Sequence, residues 1–156
     1  MEKRDLYDIN RNLTGNTIYK GEKTPENCYI IVVLAFIENS KGEFLIQKRS
    51  KQKDGKFGST GGHPKSGESS IQGMLTEINE ELGLTLTPKE LNLLYSGRSD
   101  SSHVFFDISN LTLQKDEVES VSWMTVDEID DLIKNNLFLA NHVDEFYRTM
   151  KILNKL

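Results

Sequence analysis

Glu77, Glu80 and Glu81 crowd one short stretch of the chain, and a loop containing Gly61, Gly62 and Gly67 lies just before it. Clustered carboxylates can hold a hard divalent cation, and a glycine backbone lets a phosphate approach closely. The two together are what cleavage of a diphosphate bond requires. A basic loop holding Lys48, Arg49, Lys51, Lys53 and Lys56 leads into the glycines. Lys48 and Arg49, at the end of a predicted strand, are candidates for binding a distal phosphate. His63 is placed to touch metal or phosphate. Glu117 and Glu119 share one face of a further predicted strand, and either could serve as a general base.

Helical periodicity is expected over residues 70–82. Ser69 with Gln72 fits a capping box, and Gly83 stands where a left-handed C-terminal cap is wanted. At about 100° per residue, Ile71, Leu75, Ile78 and Leu82 form one stripe that should face the core. Glu77, Glu80 and Glu81 fall in a wedge roughly opposite. Like charges at i,i+3 and i,i+4 cost a few tenths of a kcal/mol per pair. The helix dipole also disfavours anions near the C-terminus. Three carboxylates so placed invite a cation, and oxygen ligands select Mg²⁺ or Mn²⁺ over zinc. An isolated acidic helix face would read as solvated surface. The glycine loop before the helix and the basic loop upstream turn the reading toward a site.

The remaining elements must position this segment. Residues 29–36 are continuously apolar and β-branched, as a strand buried on both faces should be. Residues 39–42 supply a turn, and 43–48 the partner strand. Residues 91–95, 104–108 and 118–124 read as further strands. Residues 6–20 have a turn signal at Thr14-Gly15-Asn16 and suggest an N-terminal hairpin or arm within residues 1–26. Thr125 opens a short acidic helix over 126–133. Leu139, Val143, Phe146, Met150 and Leu153 make an amphipathic helix, docked on the domain or on a second copy in a homodimer. Strands mixed with a few helices predict an α/β class, in three layers with a mixed central sheet.

At 156 residues the chain is expected to be a single domain, with enough core to fold without staples. A net charge of −5 argues against nucleic acid or anionic membrane as a stable partner. Cys28 is the only cysteine, which excludes an intrachain disulfide or thiolate zinc cluster; beside an apolar strand it reads as filler. The opening MEKRDLYDINRN has no apolar stretch and the longest apolar run is too short to span a bilayer. A cytoplasmic location is expected. Trp123 reads as core, and Arg98, Asp100 and His103 as surface around a serine-rich loop.

Residues 62–84, GHPKSGESSIQGMLTEINEELGL, resemble the Nudix box, G-x5-E-x7-R-E-U-x-E-E-x-G-U with U aliphatic. Gly62, Glu68, Glu77, Ile78, Glu80, Glu81, Gly83 and Leu84 stand at the required intervals. The resemblance extends to the buried strand, to KGEFLIQKR and to VESVSWMTVDEI, and so covers most of residues 5–130. It implies a Nudix-type α/β/α sandwich. It further implies that Glu80 and Glu81 are principal metal ligands, with Glu77 a further ligand or the group that orients water. Glu68 would support the junction of loop and helix, and the Gly62 carbonyl would complete the coordination. The implied reaction is Mg²⁺-dependent hydrolysis of a nucleoside diphosphate linked to another moiety.

Thr76 departs from the pattern, standing where the family has an arginine that holds a catalytic glutamate. That substitution makes a weakly catalytic binding module the rival expectation. Gly73 inside the helix costs about 1 kcal/mol relative to alanine. Gly62-His63-Pro64 is also similar to isopentenyl-diphosphate isomerase, a Nudix-fold relative with a cysteine before that glycine. Gly61 occupies the cysteine position, and no histidine precedes His63, so isomerisation is disfavoured.

Overall fold

The structure, a computed structural model, describes residues 1–113 and 121–156. The chain forms two compact units, Met1–Leu34 with Gly61–Ser109, and Ala35–Thr60 with Asn110–Leu156.

The first unit opens with an antiparallel hairpin, β1 (Lys3–Tyr7) and β2 (Leu13–Tyr19). The expected turn at Thr14-Gly15-Asn16 is displaced: the chain reverses between Asp8 and Asn12. The Asp8 carboxylate accepts from the N–H groups of Asn10 and Asn12 at 2.9 and 3.0 Å, and Arg11 takes a left-handed conformation, φ 63°. Side-chain turn chemistry at Asp8 outcompetes the Gly15 signal, and Gly15 lies inside β2. Next come the start of β3 (Ile30–Glu38), β6 (Thr60–Gly62), helix α1 (Ser70–Leu82), a 3-10 turn at Pro88–Glu90, β7 (Asn92–Ser99) and the start of β8 (Val104–Thr112). The strands run β3-β8-β7, with β6 beside β3. Leu6, Ile18 and Ile30 form a buried cluster, and Cys28 packs against it as filler.

Helix α1 has the expected bounds for local reasons. The Ser69 hydroxyl accepts from Gln72 N–H at 3.2 Å, and the Gln72 side chain accepts from Ser69 N–H at 2.8 Å. Gly83 caps the far end at φ 70°. The buried face differs from the expected stripe. Gly73, Met74 and Ile78 are buried, whereas Ile71 is 42% exposed. Pro64 causes the rotation: a Cβ on Gly73 would lie 2.8 Å from Pro64 Cα, so the loop packs flat on the helix at its one position without a side chain.

The second unit holds the rest of β3 and β8 with β4 (Phe44–Lys48), β5 (Phe57–Gly58), β9 (Ser122–Met124) and helices α2 (Val126–Lys134) and α3 (Ala140–Ile152). Its strands run β5-β4-β3, with β9 antiparallel to β4. Trp123 is half-buried opposite Leu45. The Thr125 hydroxyl caps α2 from Glu128 N–H at 3.2 Å. The apolar stripe of α3 is spent inside the unit, where Phe146 packs against Phe36 and Phe138 with ring centroids 6.3 and 6.1 Å apart. No helix among the described residues is long and apolar enough to cross a membrane.

Candidate active site

The first unit assembles the glycine loop and the carboxylates. An added Cβ on Gly62 would lie 2.5 Å from Glu77 Oε1. Only glycine therefore allows the Glu77 carboxylate to rest against the loop backbone. Burial, then the negative charges of Glu81 and Glu80 and a hydrogen bond with Glu81, pushes the Glu77 carboxyl up to about 7. Two carboxylates share a hydrogen bond only if a proton sits between them. Glu80 turns to Lys65, whose Nζ lies 2.6 Å from Glu80 Oε1 across an exposed ion pair.

Glu68 is held at both oxygens. Lys65 N–H donates to Oε1 at 2.7 Å and the Thr76 hydroxyl donates to Oε2 at 2.6 Å. The loop is also tied to β1: Ser66 Oγ and Gly67 N–H donate to the Asp5 carboxylate at 2.6 and 3.0 Å, and Ser66 N–H to Lys3 carbonyl at 2.8 Å. Asp5, Lys65 and Thr76 thus position the site. The Asp5 contacts span 61 and 62 residues and carry no local signal, whereas Lys65 reaches Glu68 within a single turn.

Gly61 has no room for a side chain. A Cβ there would press on the Val33 carbonyl and lie 2.9 Å from Leu34 Cδ1, so a cysteine at this position would force β3 to shift. His63 is half-buried, with Nδ1 3.1 Å from the Ile31 carbonyl. A carbonyl only accepts, so Nδ1 carries the proton. Burial, with the nearby Arg4 charge, lowers the ring's pKa, so His63 presents a neutral edge.

Lys48 and Arg49 belong to the second unit. Lys48 Nζ lies 5.4 Å from the Phe57 ring centre, and Arg49 pairs with Asp54 at 3.4 Å. Glu117 and Glu119 lie outside the described residues. Arg98 and Asp100 pair with each other at 2.8 Å, and Tyr29 OH also donates to Asp100. In the second unit, sequence reading passed over His142, whose Nδ1 accepts from Ser59 N–H at 3.2 Å. Burial, then the Arg49 charge, pushes its pKa down to about 4.

Among the described residues no three His, Cys, Asp or Glu side chains converge as a preformed metal cage. The donor set nevertheless fits a hard divalent cation. Glu77 rests against Gly62 with Glu80 and Glu81 close enough for their charges to raise its carboxyl, and all the donors are oxygens.

A family model for the NUDIX domain matches residues 29–147. The chain is 35% identical over 150 residues to an uncharacterised Nudix hydrolase of Listeria monocytogenes, covering 89% of each chain. It is 32% identical to another of Clostridium acetobutylicum, covering 76% of this chain and 69% of that one. An isopentenyl-diphosphate Delta-isomerase of Pectobacterium atrosepticum is 31% identical over 62% of each chain. Among solved structures, a Deinococcus radiodurans protein superposes with a TM-score of 0.76 at 19% identity, over 94% of this chain and 98% of that one. The MutT protein of Methanosarcina mazei gives 0.61 at 27% identity, over 86% and 99%. These likenesses bear out the expected fold, α/β with a mixed central sheet flanked by helices. The chain belongs to the Nudix superfamily and is a Nudix hydrolase, an enzyme of a family that generally uses divalent metal ions on small-molecule substrates.

Proposed function

We propose that this enzyme is a cytoplasmic, Mg²⁺-dependent hydrolase of the diphosphate linkage in a small nucleoside diphosphate derivative, with Mn²⁺ able to substitute. The observation that carries the reading is Glu77, seated against Gly62 and raised to about 7 beside Glu81 and Glu80. Glu77, Glu80, Glu81 and the Gly62 carbonyl would hold the metal. When bound, a divalent cation neutralises charge on the diphosphate and lowers the pKa of coordinated water. Glu77 orients the attacking water. Glu68, fixed by Thr76 and Lys65, keeps the glycine loop in register with α1. Gly61, Gly62 and His63 present backbone and a neutral imidazole edge toward the substrate, and Lys48 and Arg49 take the distal phosphate. Glu117 or Glu119 serves as the general base.

Isomerisation of an allylic diphosphate is disfavoured by Gly61, which lacks both the thiol and the space for one. Phosphate release coupled to a phosphatase, across nucleoside diphosphate derivatives and triphosphates with Mg²⁺, Mn²⁺ or chelator, tests the reading. Turnover of one class that stops with chelator is expected; metal-independent turnover would refute it.

A further inference from the structure

The hairpin that opens the first unit carries a cation whose donors are idle. Arg4 pairs with Ile18 across β1 and β2, and strand alternation puts it on one face with Glu2 and Leu6. That face is the inner one, since Leu6 and Ile18 join the buried cluster with Ile30. The Arg4 side chain is only 13% exposed, and its Nε is shut from solvent with no hydrogen-bond partner. Its ion pair, from Nε to a Glu2 oxygen, spans 3.7 Å, beyond hydrogen-bond range. A guanidinium offers five donors in a planar fork, and burying one with donors unused is costly. An apolar side chain would pack beside Ile18 without that cost. The idle fork invites an anion.

Arg4 lies beside the carboxylate site. On either side of it in β1, the Lys3 carbonyl accepts from Ser66 N–H at 2.8 Å, and the Asp5 carboxylate accepts from Ser66 Oγ and Gly67 N–H at 2.6 and 3.0 Å. The Ile31 carbonyl, next to Ile30 of the cluster, fixes the His63 ring. Burial and then the Arg4 charge lower the pKa of that ring, and Lys20, which stands opposite Glu2 in the hairpin, acts in the same direction. His63 adjoins Gly62, on which the Glu77 carboxylate rests. Burial, Glu81 and Glu80 raise Glu77 most, and the charge of Glu2 adds to them. A diphosphate brings further negative charge to this cluster of carboxylates and needs cations besides a metal. Lys65, Arg11 and Arg98 of the same unit are already committed to Glu80, Asp107 and Asp100.

We propose that Arg4 is a phosphate-binding residue of the active site, its guanidinium exchanging the loose pair with Glu2 for a forked contact to non-bridging oxygens of the substrate's diphosphate. The proposal rests on the diphosphate reading above, and the test separates the two. The wild-type protein, labelled with ¹⁵N in its arginine side chains, is titrated with methylenediphosphonate in Mg²⁺, the P–C–P link resisting hydrolysis. The Arg4 Nε–H resonance, assigned through its connection to the Arg4 backbone, should shift saturably while those of Arg11 and Arg98 hold still. An Arg4 resonance that does not move overturns the proposal.

In parallel, calorimetry compares wild type with Arg4→Lys, which keeps the charge and loses the fork. Diphosphonate binding should weaken about tenfold, with Mg²⁺ binding in its absence unchanged. Equal affinity in a folded Arg4→Lys variant overturns the proposal. A saturable Arg4 shift in a protein that hydrolyses no diphosphate leaves the anion site standing and sinks the hydrolase reading instead. Hydrolysis with an unmoved Arg4 does the reverse.

Discussion

The Thr76 hydroxyl donates to Glu68 Oε2 at 2.6 Å, from one turn and a half inside α1 back to the loop that precedes it. Thr76 stands where the Nudix box has arginine, yet the loop glutamate is still gripped from the helix, with Lys65 N–H on its other oxygen. A short hydrogen bond to a carboxylate is worth about 1.5–3 kcal/mol. Thr76→Val keeps the shape and removes the donor, and should lower kcat about tenfold or more with KM little changed. Thr76→Arg should bring no more than about a threefold gain. Steady-state kinetics check both, and a large gain from arginine would mean a compromised site in place of an adapted one.

Gly73→Ala tests the contact that turns α1. Helix propensity alone favours alanine by about 1 kcal/mol. The new Cβ would meet Pro64 Cγ at 2.7 Å and Pro64 Cα at 2.8 Å, and such overpacking costs about 1–3 kcal/mol. A lower Tm is therefore expected, along with reduced activity because Pro64 belongs to the loop carrying Gly62. A stabilised, fully active variant would contradict the packing.

Glu77 makes metal-free stability depend on pH. Its carboxyl sits at about 7 in the folded protein against an ordinary 4.5. Between those values the folded state holds a proton that the unfolded chain has lost, so stability declines as pH rises through that window. The loss is about 1–2 kcal/mol after discounting for solvent near a half-buried group. Glu77→Gln, measured by thermal melts in chelator, should melt higher than wild type at pH 8 and alike at pH 4.5. Equal melting at both would contradict the shift.

His142 acts with the opposite sign. Its folded pKa of about 4 lies below the ordinary 6.5, so its contribution is intact above pH 6.5 and fades as pH falls toward 4. His63, also lowered, adds in the same direction. His142→Gln keeps an acceptor for Ser59 N–H without a titrating ring. Its melting temperature should fall less than that of wild type between pH 7 and pH 4.5, and an unchanged acid-side slope would exclude His142 as the cause.

The parts of the structure legible in the sequence are those with local causes. Ser69, Gln72 and Gly83 bound α1 through contacts within a few residues, and Thr125 does the same for α2. The unbroken apolar run gives β3. The carboxylate wedge follows from helix geometry alone. What escaped depends on partners distant in sequence. Periodicity identified an apolar stripe on α1, but the packing of Pro64 on Gly73 decides that Met74 is buried and Ile71 is not. Asp8 moved the hairpin turn because side-chain acceptors compete with glycine for the reversal. His142 owes its depressed pKa to burial against a segment 83 residues away. The Arg11–Asp107 clasp joins residues 96 apart.

If the carboxylates of α1 hold the catalytic metal, loss of one of their charges should stop turnover. Glu81→Gln removes one charge with almost no change of shape. Turnover of the preferred diphosphate substrate, followed against Mg²⁺ concentration in wild type and Glu81→Gln, tests it most directly. A fall in kcat of about 10³-fold or more is expected, with the melting temperature within a few degrees of wild type. A folded variant that keeps full Mg²⁺-dependent activity would contradict it.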